Sequence, residues 1–344
     1  MSQAPDDELP APAARPGSAT LHHVAGLAGV SIITVSRALR EPAKLAPETL
    51  ARVRQAIADT GYVPNSAAGT LRMARSGFVA ALVPNLQASN FAQLSAGLTE
   101  VLSAHGYQLL IGEIGYGGGR EDDLLRAALG RRPEGLVITG VRHSPAGRVL
   151  LRQAGIPIVE TWDLADEPID MRVGASHERI GEAACDHLVQ RGRQRLALVS
   201  ADDERSLRRA ARFVRRAAAL GLRAPVALTV AAPSTHAQGR AALADVLARA
   251  PDIDAVCCSS DLLAMGVLTE ARVRGIQVPQ QLAVMGGGDA EFAASLSPSL
   301  TSIRIDGRET GRQAGQMLVA RLEQRPLPQR HVDVGFELMA REST

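Results

Sequence analysis

The sequence has few of the features that would settle a protein's class at once. Only three cysteines occur in 344 residues, Cys185, Cys257 and Cys258, with no C-x-x-C pair. That spacing excludes a disulfide framework and the common zinc arrangements, so buried reduced thiols are expected. There is no run of 18 apolar residues, so no helical membrane span is expected. Aromatics make up 3% of the chain, and Trp162 is the single tryptophan. Neither charge sign dominates: 38 Lys and Arg stand against 36 Asp and Glu, a net of +2, which excludes a generally cationic, histone-like coat. The opening MSQAPDDELPAPAARPG lacks the apolar stretch of a signal peptide; residues 1–19 read as a disordered tail and the protein as cytoplasmic. Enzyme signatures are missing as well: no G-x-S-x-G, H-E-x-x-H or Walker loop occurs. Gly117–Gly119 and Gly286–Gly288 are glycine runs without the G-x-G-x-x-G spacing. No enzymatic activity, cofactor or metal site is expected.

What is present is length, periodicity and an uneven distribution of charge. A chain of 344 residues exceeds what one hydrophobic core usually supports, so two or three domains are expected. Between residues 20 and 75, Arg37, Arg40, Lys44, Arg52, Arg54, Arg72 and Arg75 face only Glu41, Glu48 and Asp59. This block carries +4, the tail before it −2, and the remaining 269 residues balance to zero. The same block reads as three short helices. Leu21, Val24, Ala25 and Ala28 share a face after Thr20 as N-cap, and Gly29 stops the helix. Ser31 caps a second helix to about Leu39, with Val35 and Leu39 pointing inward. Pro47 opens a third, whose Leu50, Val53 and Ile57 align before Gly61. Two helices joined by a short glycine turn make a helix-turn-helix, and the local charge favours DNA over a small bundle used for protein contact.

From Phe78 onward, apolar runs alternate with helical patterns. Strands are expected at 78–83, 108–112, 135–139, 157–160, 195–200, 226–230, 254–259 and 282–286. Helices are expected at 91–105, 119–131, 176–191, 204–219, 235–249 and 260–274. Continuous apolar strands with intervening helices imply parallel sheets covered on both faces. On periodicity alone a TIM barrel fits equally well.

The string Thr20–Leu39, TLHHVAGLAGVSIITVSRAL, closely resembles the headpiece of the LacI/GalR family of repressors, and APETLARVRQAIADTGYVPNSAAGTL continues the likeness through the third helix and hinge. The likeness covers about 320 residues, everything but the tail. It implies an α/β fold class: a three-helix headpiece and hinge helix, then a two-lobed domain of the periplasmic-binding-protein type with parallel sheets. The implied divisions are a headpiece at 20–64, a hinge at 65–76 and an effector-binding and dimerisation domain at 77–344. Lobe one would hold 77–175 and 307–325, and lobe two 176–306 and 326–344. By the family's pattern Ile32 and Ile33 face bases, Arg37 reaches a base or phosphate, and Ser31, Thr34 and Ser36 hold phosphates. Asn65 and Leu71 fall in the hinge, with Leu71 as a minor-groove wedge. Family members often carry a hydrogen-bonding side chain at one of the positions of Ile32 and Ile33; isoleucine can instead pack on a thymine methyl.

Within the family, GYGGGRED (115–122), His143–Pro145, VETWDL (159–164), IDMRVGASH (169–177) and HVDVGFEL (331–338) resemble the gluconate-repressor branch. A ligand cleft is expected at the carboxyl ends of the strands, between the lobes. Candidates there are Tyr116, His143, Glu160, Trp162, Asp261 and Asp289. Arg209, in SLRRAARF, matches a family Arg that grips sugar hydroxyls or carboxylates, a task its planar fork suits. The family's Asn-Asp pair is here Ser260-Asp261, its Gly-aromatic step is Gly286-Gly287, and Arg212 replaces a small residue. The resemblance implies a repressor that binds a palindromic operator as a homodimer or tetramer, responds to a sugar acid such as gluconate or 2-ketogluconate, and is nucleoid-associated when on DNA. Corepressor logic with a sugar or purine, and a sugar-binding module whose headpiece makes another contact, stay open.

Overall fold

The computed structural model describes residues 19–63, 76–116, 120–164 and 167–344. The chain divides into two units, residues 1–76 and 77–344. In the first, α1 (Leu21–Ala28) begins where the Thr20 hydroxyl accepts from the His23 amide at 3.4 Å, while the His23 ring accepts from the Thr20 amide. It ends at Gly29, whose φ of +63° suits a residue without Cβ. Ser31 caps α2 (Ile32–Arg40) by accepting from the Thr34 amide at 3.1 Å. Pro47 opens α3 (Pro47–Thr60), whose N-cap Ala46 offers no side-chain bond. Val24, Ala25, Ala28, Val35, Ala38, Val53 and Ala56 form the core of this unit. One expectation fails: Leu39 is 39% exposed rather than inward. The buried stripe of α2 runs from Val35 to Ala38, where a small side chain lets the helices approach, and leaves Leu39 at its edge.

The second unit is built on two six-stranded sheets. The first has the order β11-β5-β4-β3-β1-β2, from β1 (Phe78–Val83), β2 (Gln108–Glu113), β3 (Gly135–Thr139), β4 (Ile158–Thr161), β5 (Met171–Gly174) and β11 (His331–Asp333), all parallel. The second has the order β12-β10-β9-β8-β6-β7, from β6 (Leu196–Ala201), β7 (Val226–Val230), β8 (Ala255–Cys258), β9 (Ala283–Gly287), β10 (Thr301–Arg304) and β12 (Glu337–Met339). Only the β10–β12 pair is antiparallel. Helices α4 (Ser89–Ala104), α5 (Glu121–Gly130) and α6 (Pro145–Gln153) follow strands of the first sheet. Helices α7 (His177–Gln190), α8 (Glu204–Ala219), α9 (His236–Arg249) and α10 (Asp261–Val273) belong to the second, and α11 (Gly307–Leu322) returns to pack on α4. This doubly wound arrangement decides against a closed barrel.

Strand alternation explains the core. Val79, Ala81 and Val83 join one buried cluster, and Ala80 and Leu82 join another on the opposite face. All three cysteines are free and buried, and burial pushes the Cys185 thiol up to about 11. The chain passes between sheets three times, after β5, after β10 and after β11. The last crossing corrects the expected division, because residues 331–333 pair with β5 in the first sheet rather than joining lobe two. The open edge of β5 is satisfied by the chain leaving α11 before it crosses near Gly335 (φ +68°). Strands β5, β10, β11 and β12, three or four residues each, and helix α6 were not anticipated; the strands are too short to show a pattern.

The α4–α11 crossing depends on reciprocal glycines. A Cβ at Gly97 would lie 2.1 Å from the Arg308 carbonyl oxygen, and one at Gly311 would lie 2.2 Å from that of Leu94. Gly311→Ala is therefore expected to lose about 1–3 kcal/mol in urea unfolding. Gly130→Ala, with nothing within 4 Å of its Cβ, serves as the near-neutral control.

Candidate functional site

Two sites emerge, one in each unit. In the first, the N-cap at Ser31 sets the start of α2, so the residues of its first turn project outward. Ile32 is 37% and Ile33 71% exposed, an uncommon placement for two large aliphatic side chains side by side. Arg37 is exposed on the same helix, while Thr34 and Ser36 are half-buried. The Ser31 and Thr34 hydroxyls share a hydrogen bond at 2.9 Å, which holds both at the helix start. Asn65 and Leu71 lie outside the described residues.

In the second unit a cavity of about 670 Å³ lies between the lobes, at the carboxyl ends of strands from both sheets. Asn85, Asn90, Phe91, Tyr116 and Trp162 line it from lobe one. Arg205, Ser206, Arg209, Ser260, Asp261 and Gly288 line it from lobe two, with His236 and Glu291. Trp162 adopts φ +77°, and its ring meets Phe91 at 5.2 Å and 53°. A non-glycine residue held at such an angle is over-determined by its surroundings. Its carbonyl accepts from His177 Nε2 at 2.8 Å. Burial, then the charges of Arg209 and Arg205, hold the His177 pKa well below 6.5, so the ring is neutral. With the proton on Nε2, Nδ1 is free to accept from Arg209 Nη1 at 3.0 Å. Arg209 Nη2 donates to Ser206 Oγ at 2.9 Å. Burial depresses the Arg209 pKa, and its hydrogen-bond partners are all uncharged. Burial likewise raises the Tyr116 pKa, against the opposing charge of Arg205.

The other expected residues divide. Ser260 caps α10, accepting from the Leu263 amide at 3.3 Å, and reaches the cavity. Asp261 borders the cavity but is 3% exposed and committed, accepting from Ser302 Oγ and the Ala290 amide, each at 2.6 Å. Gly287 stands where the family's aromatic would, and a Cβ there would lie 3.1 Å from the Ser259 carbonyl oxygen. Arg212 crowds nothing; it pairs at the surface with Glu178 at 2.7 Å.

Three expected residues are not on the cavity wall. Asp289 turns away to Arg341 at 2.7 Å and Arg304 at 3.8 Å. His143 and Glu160 do not line the cavity either; they form a buried cluster beneath β4. His143 lies 2.6 Å from Glu121 and 3.0 Å from Glu160, with its side chain 1% exposed. Glu160 also accepts from the Ile169 amide at 2.6 Å. The residue alternation of β4 puts Glu160 on the same face as Ile158, beneath α5 and α6, where only an internal partner can satisfy it. Sequence reasoning missed Arg205, His177, Phe91, Asn85 and Asn90.

A helix-turn-helix unit on the same chain as a two-lobed body with an interlobe cavity defines a class: a DNA-binding regulator that responds to a small molecule. Residues 20–65 match the bacterial regulatory proteins of the lacI family, and residues 185–344 a periplasmic binding protein-like domain. The HTH-type transcriptional regulator GntR of Pseudomonas aeruginosa is 40% identical over 330 residues, covering 95% of this chain and 96% of that protein. The HTH-type transcriptional regulator IdnR of Escherichia coli is 33% identical, covering 93% and 96%. A crystal structure of a LacI-family regulator from Silicibacter pomeroyi has a TM-score of 0.89 at 31% identity, over 94% of this chain and 99% of that one. The lac repressor dimer bound to operator and an anti-inducer shares the fold, with a TM-score of 0.80 at 22% identity over 95% and 99% of the two chains. The chain belongs to the LacI family, and is a DNA-binding transcriptional regulator rather than an enzyme. Among the described residues, no helix is long and apolar enough to cross a membrane.

The buried cluster has a measurable consequence. Burial alone would depress the His143 pKa, but hydrogen bonds and charge from Glu121 and Glu160 outweigh it and push it up to about 9. The stabilisation is therefore complete below pH 6.5 and lost as pH rises through about 9. The melting temperature should fall across that window. His143→Gln should flatten the slope and cost on the order of 3 kcal/mol at pH 6. An unchanged slope in the variant would assign the pH dependence elsewhere.

Proposed function

We propose that the protein represses transcription as a homodimer on a two-fold symmetric operator, and that a sugar acid bound between the lobes releases it. The observation that carries this reading is a chain pairing an exposed Ile32–Ile33 step on a capped helix with a cleft where the guanidiniums of Arg205 and Arg209 have no carboxylate within ion-pair distance among the described residues. Residues 20–64 read DNA, 65–76 form the hinge with Asn65 and the Leu71 wedge, and 77–344 sense the effector and dimerise. A dimer presents the +4 block twice, and symmetry in the protein imposes symmetry on the operator. Ser31, Thr34 and Ser36 hold phosphates, Arg37 supplies polar base readout, and Ile32 and Ile33 pack on thymine methyls. The cavity is sized for a small metabolite, and its amides, hydroxyls and guanidiniums fit a polyhydroxy acid such as gluconate or 2-ketogluconate. That agrees with the gluconate-repressor-like segments of the sequence. Tyr116, Trp162, Arg209, Ser260 and Asp261 are the sequence-predicted residues that line it.

Release is a population shift. The effector lowers DNA affinity only by binding the DNA-incompetent arrangement more tightly, by about 1–3 kcal/mol in typical couplings. Gluconate is expected to weaken binding to an inverted-repeat operator about tenfold in a gel shift, and binding without effector should be strongly salt-dependent. Equal gluconate affinity with and without operator in calorimetry would remove the allosteric part of the proposal. Ile32→Ala should relax discrimination at a T·A position by about 1 kcal/mol. An operator preference unchanged at every base would sink the thymine contact.

A further inference from the structure

We infer that Arg205 recognises the effector's carboxylate, as the unfilled member of an ionic seam that otherwise joins the lobes directly. The inference rests on the sugar-acid reading above. The first two turns of α8 present three charged side chains to lobe one. Glu204 pairs with Arg142, after β3, at 2.8 Å. Arg208 pairs with Asp163, after β4, and lies 3.4 Å from Glu204. Between them Arg205 points into the cavity, its guanidinium carbon 5.9 Å from the centre of the Phe91 ring of lobe one. Gly140, at φ +104°, runs alongside it, and a Cβ there would make only ordinary contact with Arg205 Nη1, at 3.8 Å. Among the described residues Arg205 makes no hydrogen bond or ion pair. Asp203, two positions earlier, also lines the cavity, but its carboxylate is occupied as the cap of α8, accepting from the Ser206 amide at 3.1 Å.

Each neighbour in the seam thus has its counter-charge on the facing lobe, and Arg205 faces an aromatic ring and open space. A half-buried guanidinium on an aromatic face, walled by amides and hydroxyls, suits a single carboxylate held by charge-assisted hydrogen bonds. Arg209, one turn further on, is already fixed by His177 and Ser206 and is placed to meet the neighbouring hydroxyls. Beside Arg205 the one carboxylate on the wall, Asp203, is occupied as a cap, while the far side carries two, Asp261, buried and committed, and Glu291, exposed at the rim. That polarity favours a ligand with one anionic end and one hydroxyl-rich end, and disfavours a diacid. An anion bound by Arg205 and by the lobe-one wall completes the third contact of the seam, so ligand charge is read as lobe closure.

D-Gluconate and D-sorbitol share a carbon skeleton and differ only at the carboxylate, so calorimetry with both on the full-length protein isolates it. The wild type is expected to prefer gluconate. Arg205→Gln should lose about 10- to 100-fold in gluconate affinity and retain its sorbitol affinity, which also reports an intact cleft. Arg205→Lys should fall between. Glucarate, with a carboxylate at each end, should bind more weakly than gluconate. If the wild type prefers gluconate and Arg205→Gln binds it equally well, the role of Arg205 is overturned while the sugar-acid reading stands. Loss of both ligands alike in Arg205→Gln would make it a scaffold of the cleft and overturn the inference too. Sorbitol binding the wild type as tightly as gluconate, or neither binding, would defeat the sugar-acid reading itself.

Discussion

Two sheets with their carboxyl ends opposed, joined by three chain crossings, set the terms for the second unit. Because the loops after β1, β2 and β4 approach the loops after β6, β8 and β9, polar groups from distant parts of the chain converge on one cavity. Such loops carry variable chemistry on a fixed frame, whereas the strands behind them are almost wholly apolar. Three crossings also limit what the lobes can do. They can rock about a common hinge, but they cannot separate, so a ligand in the cleft acts chiefly on the angle between them.

The chain from Trp162 through His177 to Arg209 shows how this frame positions chemistry. A left-handed backbone angle at Trp162 turns its carbonyl toward the start of α7. The neutral imidazole of His177 relays that orientation to a guanidinium, using its one proton for the carbonyl and its one lone pair for Arg209. Trp162 belongs to lobe one, and His177 and Arg209 to lobe two. The network therefore crosses between lobes beside the first crossing of the chain, where relative movement is least. Arg205 lies one turn nearer the start of α8, within the seam, where an added charge has leverage on closure.

The headpiece was legible almost to the residue, because caps and stops are local. Thr20, Ser31, Gly29 and Gly61 act within four residues of themselves, and the structure uses each as the spacing implies. The apolar strands were equally plain, being buried on both faces. The ligand site was less so, since strand ends locate a cleft without saying which way a side chain turns. His143 and Glu160 are at the right ends of β3 and β4, yet their charges are consumed by each other and by Glu121. Asp289 is likewise drawn off by Arg341 from the far end of the chain, a pairing no local pattern announces.

The arginines of α8 are the instructive case. Six occur between 205 and 216, and at the level of composition they look interchangeable. Helical spacing sorts five of them into two rows, and Arg215 stays exposed outside both. Arg208, Arg212 and Arg216 follow one another at intervals of four, and they pair in turn with Asp163, Glu178 and Asp186. Arg205 and Arg209 form a second stripe with no carboxylate of its own, and this stripe faces the cavity. The first stripe joins α8 to its neighbours, and the second is left for the ligand. A helix that fills one row of charges internally and leaves the adjacent row open has, in effect, specified the charge of what it binds.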